Sequence, residues 1–256
     1  MAARILRRLS HLGLLLAVLL AWWIVSMYVL TASTRALLPP PQDVVVAAWE
    51  LIRSGELWRH FRDSIKREFV AFLWASIAIP IGIAMAWWKA VEEQVDPLIE
   101  VLRPVPPLAW IPLSILWFGI DDTQNEFIIF LGCFFPILVN TIAGVKGVEP
   151  NLVRAARCLG ASEASILWRV VLRAALPQII TGIRVGVGVG WMALVAAELV
   201  GANSGLGFLI NDARTVLRTD YVIVGMATIG IVGLAIDRAI RFAGTKLLPW
   251  SRELAA

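Results

Sequence analysis

The sequence predicts an all-α integral membrane protein, one domain over 1–256 with about six transmembrane helices. Three observations carry that expectation. Of the 256 residues, 59% are hydrophobic and only 16% charged. The mean hydropathy of +0.78 lies well beyond the balance of a soluble domain. Uncharged runs occur at Leu12–Leu30, Phe69–Trp88, Pro104–Ile120, Phe127–Val145, Val185–Ala197 and Tyr221–Ile236, and a span needs roughly 20 mostly apolar residues. The fifth run is short, but it extends at both ends once Arg184 snorkels and Glu198 sits inside the bundle. Finally, with the N-terminus inside, 15 of the 23 basic residues fall on inner segments and 8 on outer ones. The loop 121–126 has none. By the positive-inside rule both termini and the central loop face the cytoplasm. The net charge of +4 then reflects topology, with no nucleic-acid patch in it.

In chain order, 1–10 is a cytoplasmic N-terminus and 11–30 the first span. Arg4, Arg7 and Arg8 ahead of an apolar run have the form of a signal peptide's opening. The run is too long for that, carries Trp22 and Trp23, and lacks a clean A-x-A exit, so it is read as a retained helix. Residues 38–63 form an outer amphipathic segment. Leu38-Pro39-Pro40-Pro41 stiffens the exit from the membrane, and Val44–Leu57 alternates at near-helical spacing along the interface. Leu57–Lys66 is polar enough to lie outside.

Residues 64–145 hold spans two to four. Ser64–Trp88 reads as one long helix with Pro80 and Gly82 inside it. Pro104, Pro106, Pro107 and Pro112 cannot share one regular helix, so the third span breaks near Arg103 and again within the membrane. Broken helices at membrane depth usually line a cavity, which nominates Pro107, Trp110, Pro112 and Trp117 for a translocation pathway. A kink that serves packing alone is the plainer alternative.

Residues 149–177 are a charged island among apolar runs, with Arg154, Arg157, Arg169 and Arg173. Leu152 to Leu159 reads as a short helix stopped by Gly160, a residue suited to a left-handed cap. Ser162 then caps a second helix. A loop that only joined two spans would not need two delimited helices. Residues 179–241 hold spans five and six, and 242–256 is a cytoplasmic tail. Gly182, Gly186, Gly190, Ala193, Ala197 and Gly201 form a small-residue stripe that lets another helix approach closely. Glu198 in the same helix must point inward or to water. Gate, structural pairing with an arginine such as Arg184 or Arg214, and pathway lining stay open for it; Trp191 lies two turns earlier on its face. Asn203–Gly207 reads as a turn beyond the span and Asn211–Asp220 as a polar outer segment. Gly188-x-Gly190-x-x-Ala193 matches a dinucleotide fingerprint by spacing, but it lacks the βαβ context that motif requires.

Two cysteines, one in a span and one in the loop, together with two histidines leave no disulfide and no metal cluster to expect. No G-x-x-x-x-G-K-[ST] occurs, so the chain has no P-loop of its own. Nor does an acidic or histidine relay run through the spans. The chain can make a path but shows no means of powering it.

Ala155-Ala156, then Gly160, then Val170-Val171-Leu172 resembles the cytoplasmic EAA loop of ABC-importer permeases. Arg154 stands where that motif has Glu, and Arg173 where it ends in Pro. The LPPP segment, RPVPPLAWIPL with WFG, the AEL…GLG run and the LPW tail resemble the taurine, sulfonate and nitrate branch of the family. The resemblance implies the type I ABC-importer permease fold, with a coupling helix that docks in a groove of an ATP-binding subunit. It assigns the coupling contact to Leu152, Arg154, Ala155, Ala156, Leu159, Gly160, Ala161 and Ser162. For the pathway, the fifth span's own residues add Gly186, Gly190, Trp191 and Glu198 to those of the broken span. The implied assembly has two permease copies, two ATP-binding subunits holding ATP and Mg, an external substrate-binding protein and membrane lipid, in a bacterial inner membrane. No cofactor is expected in this chain. Taurine or a related small sulfonate is the implied cargo; nitrate, bicarbonate or a vitamin precursor is the alternative. An ATP-independent channel or secondary carrier, and a membrane scaffold without transport, are the readings of other classes.

Overall fold

A computed structural model describes residues 13, 16–31, 34 and 36–248, and these are helical without strands. The expected cytoplasmic N-terminus at 1–10 and the tail from Pro249 onward lie outside the described residues. Helix α1, Leu16–Val29, ends in a π-turn. Pro41 starts α2, Pro41–Ser54, at a first-turn position where its missing N–H costs nothing. Its Ala47 and Leu51 are buried against Leu209 and Val224, and Gly55 ends it at φ 79°.

Helices α3, Glu56–Ala75, and α4, Ala78–Trp87, form one 32-residue apolar element. The interruption at Ser76–Ile77 has a local cause. Pro80 has no N–H for the Ser76 carbonyl, and Ile79 N supplies the bond at 3.0 Å in a tighter turn. Helix α5, Lys89–Leu102, is followed by a 3₁₀ turn at Pro107–Trp110 and by α6, Ile111–Phe118. The two sides of the break meet at 81°, as the proline cluster requires. Asp121 caps α7, Asp122–Lys146, through its side chain. After α8, Pro150–Cys158, the short α9, Glu163–Ile166, runs through a π-turn into α10, Leu172–Gly201. Helices α11, Leu206–Thr215, and α12, Thr219–Leu247, complete the described residues.

Four elements are long and apolar enough to cross a membrane, and the bent pair makes a fifth. Leu16–Val29, a shorter apolar helix, stands at the position expected for the first span.

The centre of the fold is the seam between α7 and α10. The glycine stripe lies in it and determines how closely the helices approach. A Cβ on Gly182 would fall 2.6 Å from Asn140 Cβ, and one on Gly186 would fall 2.7 Å from Ile137 Cγ1. From the other side, a Cβ on Gly132 would meet Gly190 Cα at 3.2 Å. In lipid there is no hydrophobic gain from pairing two apolar helices, so close backbone approach and dispersion supply the association.

Two polar stretches are helical. Stretch 57–66, expected outside, is helical, and His60 and Ser64 turn inward with Arg67 and Glu68. Spacing at i, i+4, i+7 and i+8 makes these four one helix face, which closes against the polar end of α10. Segment 211–220, expected as a polar outer connection, is mostly helical, because Leu206, Leu209 and Ala213 form a buried stripe.

Candidate functional site: coupling helix, broken span and buried ion pair

Helix α8 starts at Pro150 in its first turn and stops as expected. Gly160 has φ 78°, and Ser162 Oγ accepts from Ser165 N at 3.3 Å. Val153 and Ala156 pack on a cluster of Val145, Ile166, Leu167 and Val171. That fixes which way the rest of the helix faces. Leu152, Ala155 and Leu159, at i, i+3 and i+7, share the outward face, and Leu159 is 87% exposed. Arg154 and Ser162 are exposed, while Ala161 is half-buried under the turn. Arg157 donates to Glu163 at 2.8 and 3.1 Å, bracing α8 against the start of the long helix. That hydrogen bond raises the Arg157 guanidinium above its ordinary pKa. Only α8 is delimited at both ends. The expected second helix is the first turn of a continuous 39-residue element, Glu163–Gly201, which Pro177 does not interrupt.

At the break of the third span, a cavity of ≈350 Å³ opens among Arg103, Pro107, Phe135, Asn140 and Val189. Trp110 in the 3₁₀ turn, Trp117 and Phe118 on α6 and Phe127 at the start of α7 form an aromatic cluster, with centroids 5.4 to 6.4 Å apart. Pro112 sits in the first turn of α6.

At the far end of α10, Glu198 is buried and meets a constellation drawn from four elements. Arg67 Nη1 donates to its Oε1 at 2.8 Å, and Ser64 Oγ donates at 2.8 Å. Gly207 N donates to Oε2 at 2.8 Å. Arg67 also reaches Asp122 Oδ1 from Nε at 2.7 Å and the Ser204 carbonyl at 2.7 Å. His60 Nδ1 accepts from Gly205 N at 3.0 Å. Gly205 takes φ 115°, where a Cβ would strike the Glu198 carboxylate. One buried cation thus holds α3, α7, α10 and the turn after α10 together. Beside it, Glu68 is 4% exposed, and its Oε2 has no partner among the described residues.

Over residues 78–247 the sequence matches the family of binding-protein-dependent transport system inner membrane components. The chain belongs to this family of ABC-importer permeases. It is 42% identical to the taurine transport system permease protein of Escherichia coli K12, over 95% of this chain and 90% of that protein. It is equally 42% identical to a putative aliphatic sulfonates transport permease protein of Bacillus subtilis 168, over 93% and 87% of the two. A nitrate import permease protein of Leptolyngbya laminosa is 33% identical, over 82% and 78%. An inward-facing structure of the MetNI methionine ABC transporter shares the fold, with TM-score 0.61 and 20% identity, covering 78% of this chain and 95% of that one. As a permease of an ABC importer, the chain is membrane-embedded and works with ATP-binding and substrate-binding partners. The homologues are permease subunits, which implies no catalytic activity of its own.

Within the permease, the candidate residues fall into separate places. Pro107 lines the cavity at the broken span, whereas Gly186, Gly190, Trp191 and Glu198 are not among its lining residues. Gly186 and Gly190 face α7. Trp191 is 6% exposed and donates its indole N–H to the Ile229 carbonyl at 3.2 Å. Arg184 and Arg214, considered as partners of Glu198, contact Asp237 and Asn211 instead. Sequence reasoning missed Arg67, Glu68 and the free position of Arg103. A signal for the first two existed: four polar residues on one helical face, next to an apolar span, mark a buried polar stripe.

Proposed function

We propose that this permease forms the translocation pathway for taurine or a related small sulfonate in a bacterial inner membrane. It works as a homodimer in lipid, with two ATP-binding subunits that hold ATP and Mg and an external protein that delivers cargo. It contains no ATPase site of its own, and both termini lie in the cytoplasm. The observation that carries the coupling part is the geometry of α8. A nine-residue helix fixed to the bundle by one face presents Leu152, Ala155 and Leu159 on the other, flanked by Arg154. Small residues at Ala155 and Gly160 let that face lie close in a protein groove, the helix-in-groove mode of recognition.

Closure of the ATP-binding pair displaces α8. The Arg157–Glu163 brace and the buried cluster pass that displacement to the long rod 163–201, whose far end carries Glu198. The Arg67–Glu198 pair joins the rod to α3 and α7, so the bundle moves as a body between inward- and outward-facing states. Two sites that bias the same two states make the coupling reciprocal. Glu198 acts here as a structural clamp, since an ionised carboxylate facing a sulfonate would repel it. The cargo follows from the taurine and sulfonate permeases, similar over nearly the whole chain. Nitrate is the second reading, favoured by the nitrate permease relative.

The test compares wild type with Gly160→Trp for co-purification with the ATP-binding subunit and for stimulation of its ATPase. Wild type is expected to co-purify, and Gly160→Trp to lose stimulation while remaining folded. Intact binding and stimulation in the variant would make 149–177 a simple connector. Uptake of labelled taurine against labelled nitrate in proteoliposomes separates the two cargo readings.

A further inference from the structure

We infer that Arg103 is the group that receives the oxyanion of the cargo inside the permease, in the cavity opened by the break of the third span. This rests on the sulfonate-importer reading and assigns it a residue. Arg103 is the last residue before Pro104, where the helix gives way, and its backbone N–H still closes on the Ile99 carbonyl at 2.8 Å. Its side chain is exposed and lines the ≈350 Å³ cavity. Another arginine that borders a cavity, Arg184, is held by Asp237. Lys89 and Lys146, on the same side of the fold, are held by Glu93 and Glu92. The Arg103 side chain has neither a hydrogen bond nor an ion pair to any described residue, and no carboxylate lines its cavity.

With no carboxylate to compete for it, the exposed Arg103 guanidinium is free to take an arriving anion at the cavity. Its planar fork matches two oxygens of a sulfonate or nitrate, a geometry that lysine cannot reproduce. The remaining lining suits a small polar solute. Asn140 spends one amide hydrogen on the Pro136 carbonyl at 2.8 Å, and its oxygen accepts from Gln178 at 2.9 Å, which leaves a second N–H free. Pro136 has no N–H for the carbonyl of Gly132, and both residues line the cavity. That carbonyl can accept from a cargo ammonium or hydroxyl. Phe135, Val139 and Val189 provide walls for a short carbon chain.

Anionic lipid headgroups offer the same chemistry as free oxyanions, so the experiment separates them. The complete transporter, with ATP-binding subunits and external binding protein, is reconstituted in vesicles of phosphatidylcholine alone and of phosphatidylcholine with phosphatidylglycerol. Labelled taurine, or labelled nitrate, is followed together with ATP hydrolysis. Loss of a charged hydrogen bond predicts that Arg103→Gln lowers cargo moved per ATP by about tenfold or more. The loss should be the same in both lipids, with Arg103→Lys recovering part of it. Four outcomes overturn the assignment: wild-type transport by Arg103→Gln, a defect seen only with phosphatidylglycerol, a melting temperature lowered in Arg103→Gln and Arg103→Lys alike, or transport and hydrolysis falling together in both variants. Failure of wild type to carry either anion overturns the importer reading itself, a result distinct from all four.

Discussion

Arg67→Met tests whether the buried ion pair is a unit of the fold. The Arg67 side chain is 4% exposed and that of Glu198 0%, so water cannot replace either partner. Removing the cation leaves Glu198 with only Ser64 Oγ and Gly207 N as donors. An uncompensated buried charge of this kind costs about 3–5 kcal/mol. Arg67→Met/Glu198→Leu removes both charges, and its remaining loss is the unsatisfied Gly207 N–H and Ser64 O–H, about 1–3 kcal/mol for each buried group left unpaired. Asp122, 38% exposed at its side chain, stays solvated and adds little. The double variant is therefore expected to be more stable than Arg67→Met alone. The chain carries its own reporter, since Cys133 is buried and Cys158 exposed. In a Cys158→Ser background, a thiol-reactive fluorophore reads exposure of Cys133 during unfolding in detergent. If the double variant were as unstable as the sum of the two single variants, the pair would contribute no coupling and the reasoning would be refuted.

Three further outcomes follow from the geometry. Gly190→Val places a branched side chain against Cys133, Glu68 Oε1 at 2.9 Å and Ile129 Cγ2 at 3.4 Å. It should destabilise the α7–α10 seam by on the order of 1–3 kcal/mol or more, read in the same thiol assay. Gly205→Ala combines left-handed strain with a direct strike on the Glu198 carboxylate, and is expected to cost more than Gly160→Ala. At Gly160, φ is equally positive but no atom lies within 4 Å of a Cβ, so only the backbone penalty of about 1 kcal/mol applies. Equal losses at the two glycines in thermal unfolding would contradict this. Glu163→Gln removes an exposed ion pair with Arg157. It should leave thermal stability unchanged while weakening ATPase stimulation, because the brace between α8 and the long helix is lost; unchanged stimulation would rule out the brace.

Local features of the fold were legible in the sequence because their causes are local. The proline cluster at 104–112 forces a break wherever it stands, and Gly160 and Ser162 end and restart a helix whatever surrounds them. The glycine stripe announces a close helix contact. Polar residues were harder. Stretch 57–66 reads as outside because it is polar, and that polarity alone does not say which of its residues are buried. Its helical periodicity, with Arg67 and Glu68 continuing the face of His60 and Ser64, was the signal for the buried ones.

Sequence alone determined that this chain crosses a membrane several times, where it breaks, which loop carries the short capped helix, and which family it resembles. These rest on composition and on short-range backbone chemistry. The tertiary structure decided the partners: α7 as the helix in the glycine stripe, Arg67 rather than Arg184 or Arg214 as the cation on Glu198, and Arg103 as an arginine without a carboxylate beside an open cavity. Glu198 and Arg67 are 131 residues apart. A charge on one helix carries no mark of which other helix will answer it. That choice is made by packing, where the glycines determine how closely helices approach and so which buried groups meet.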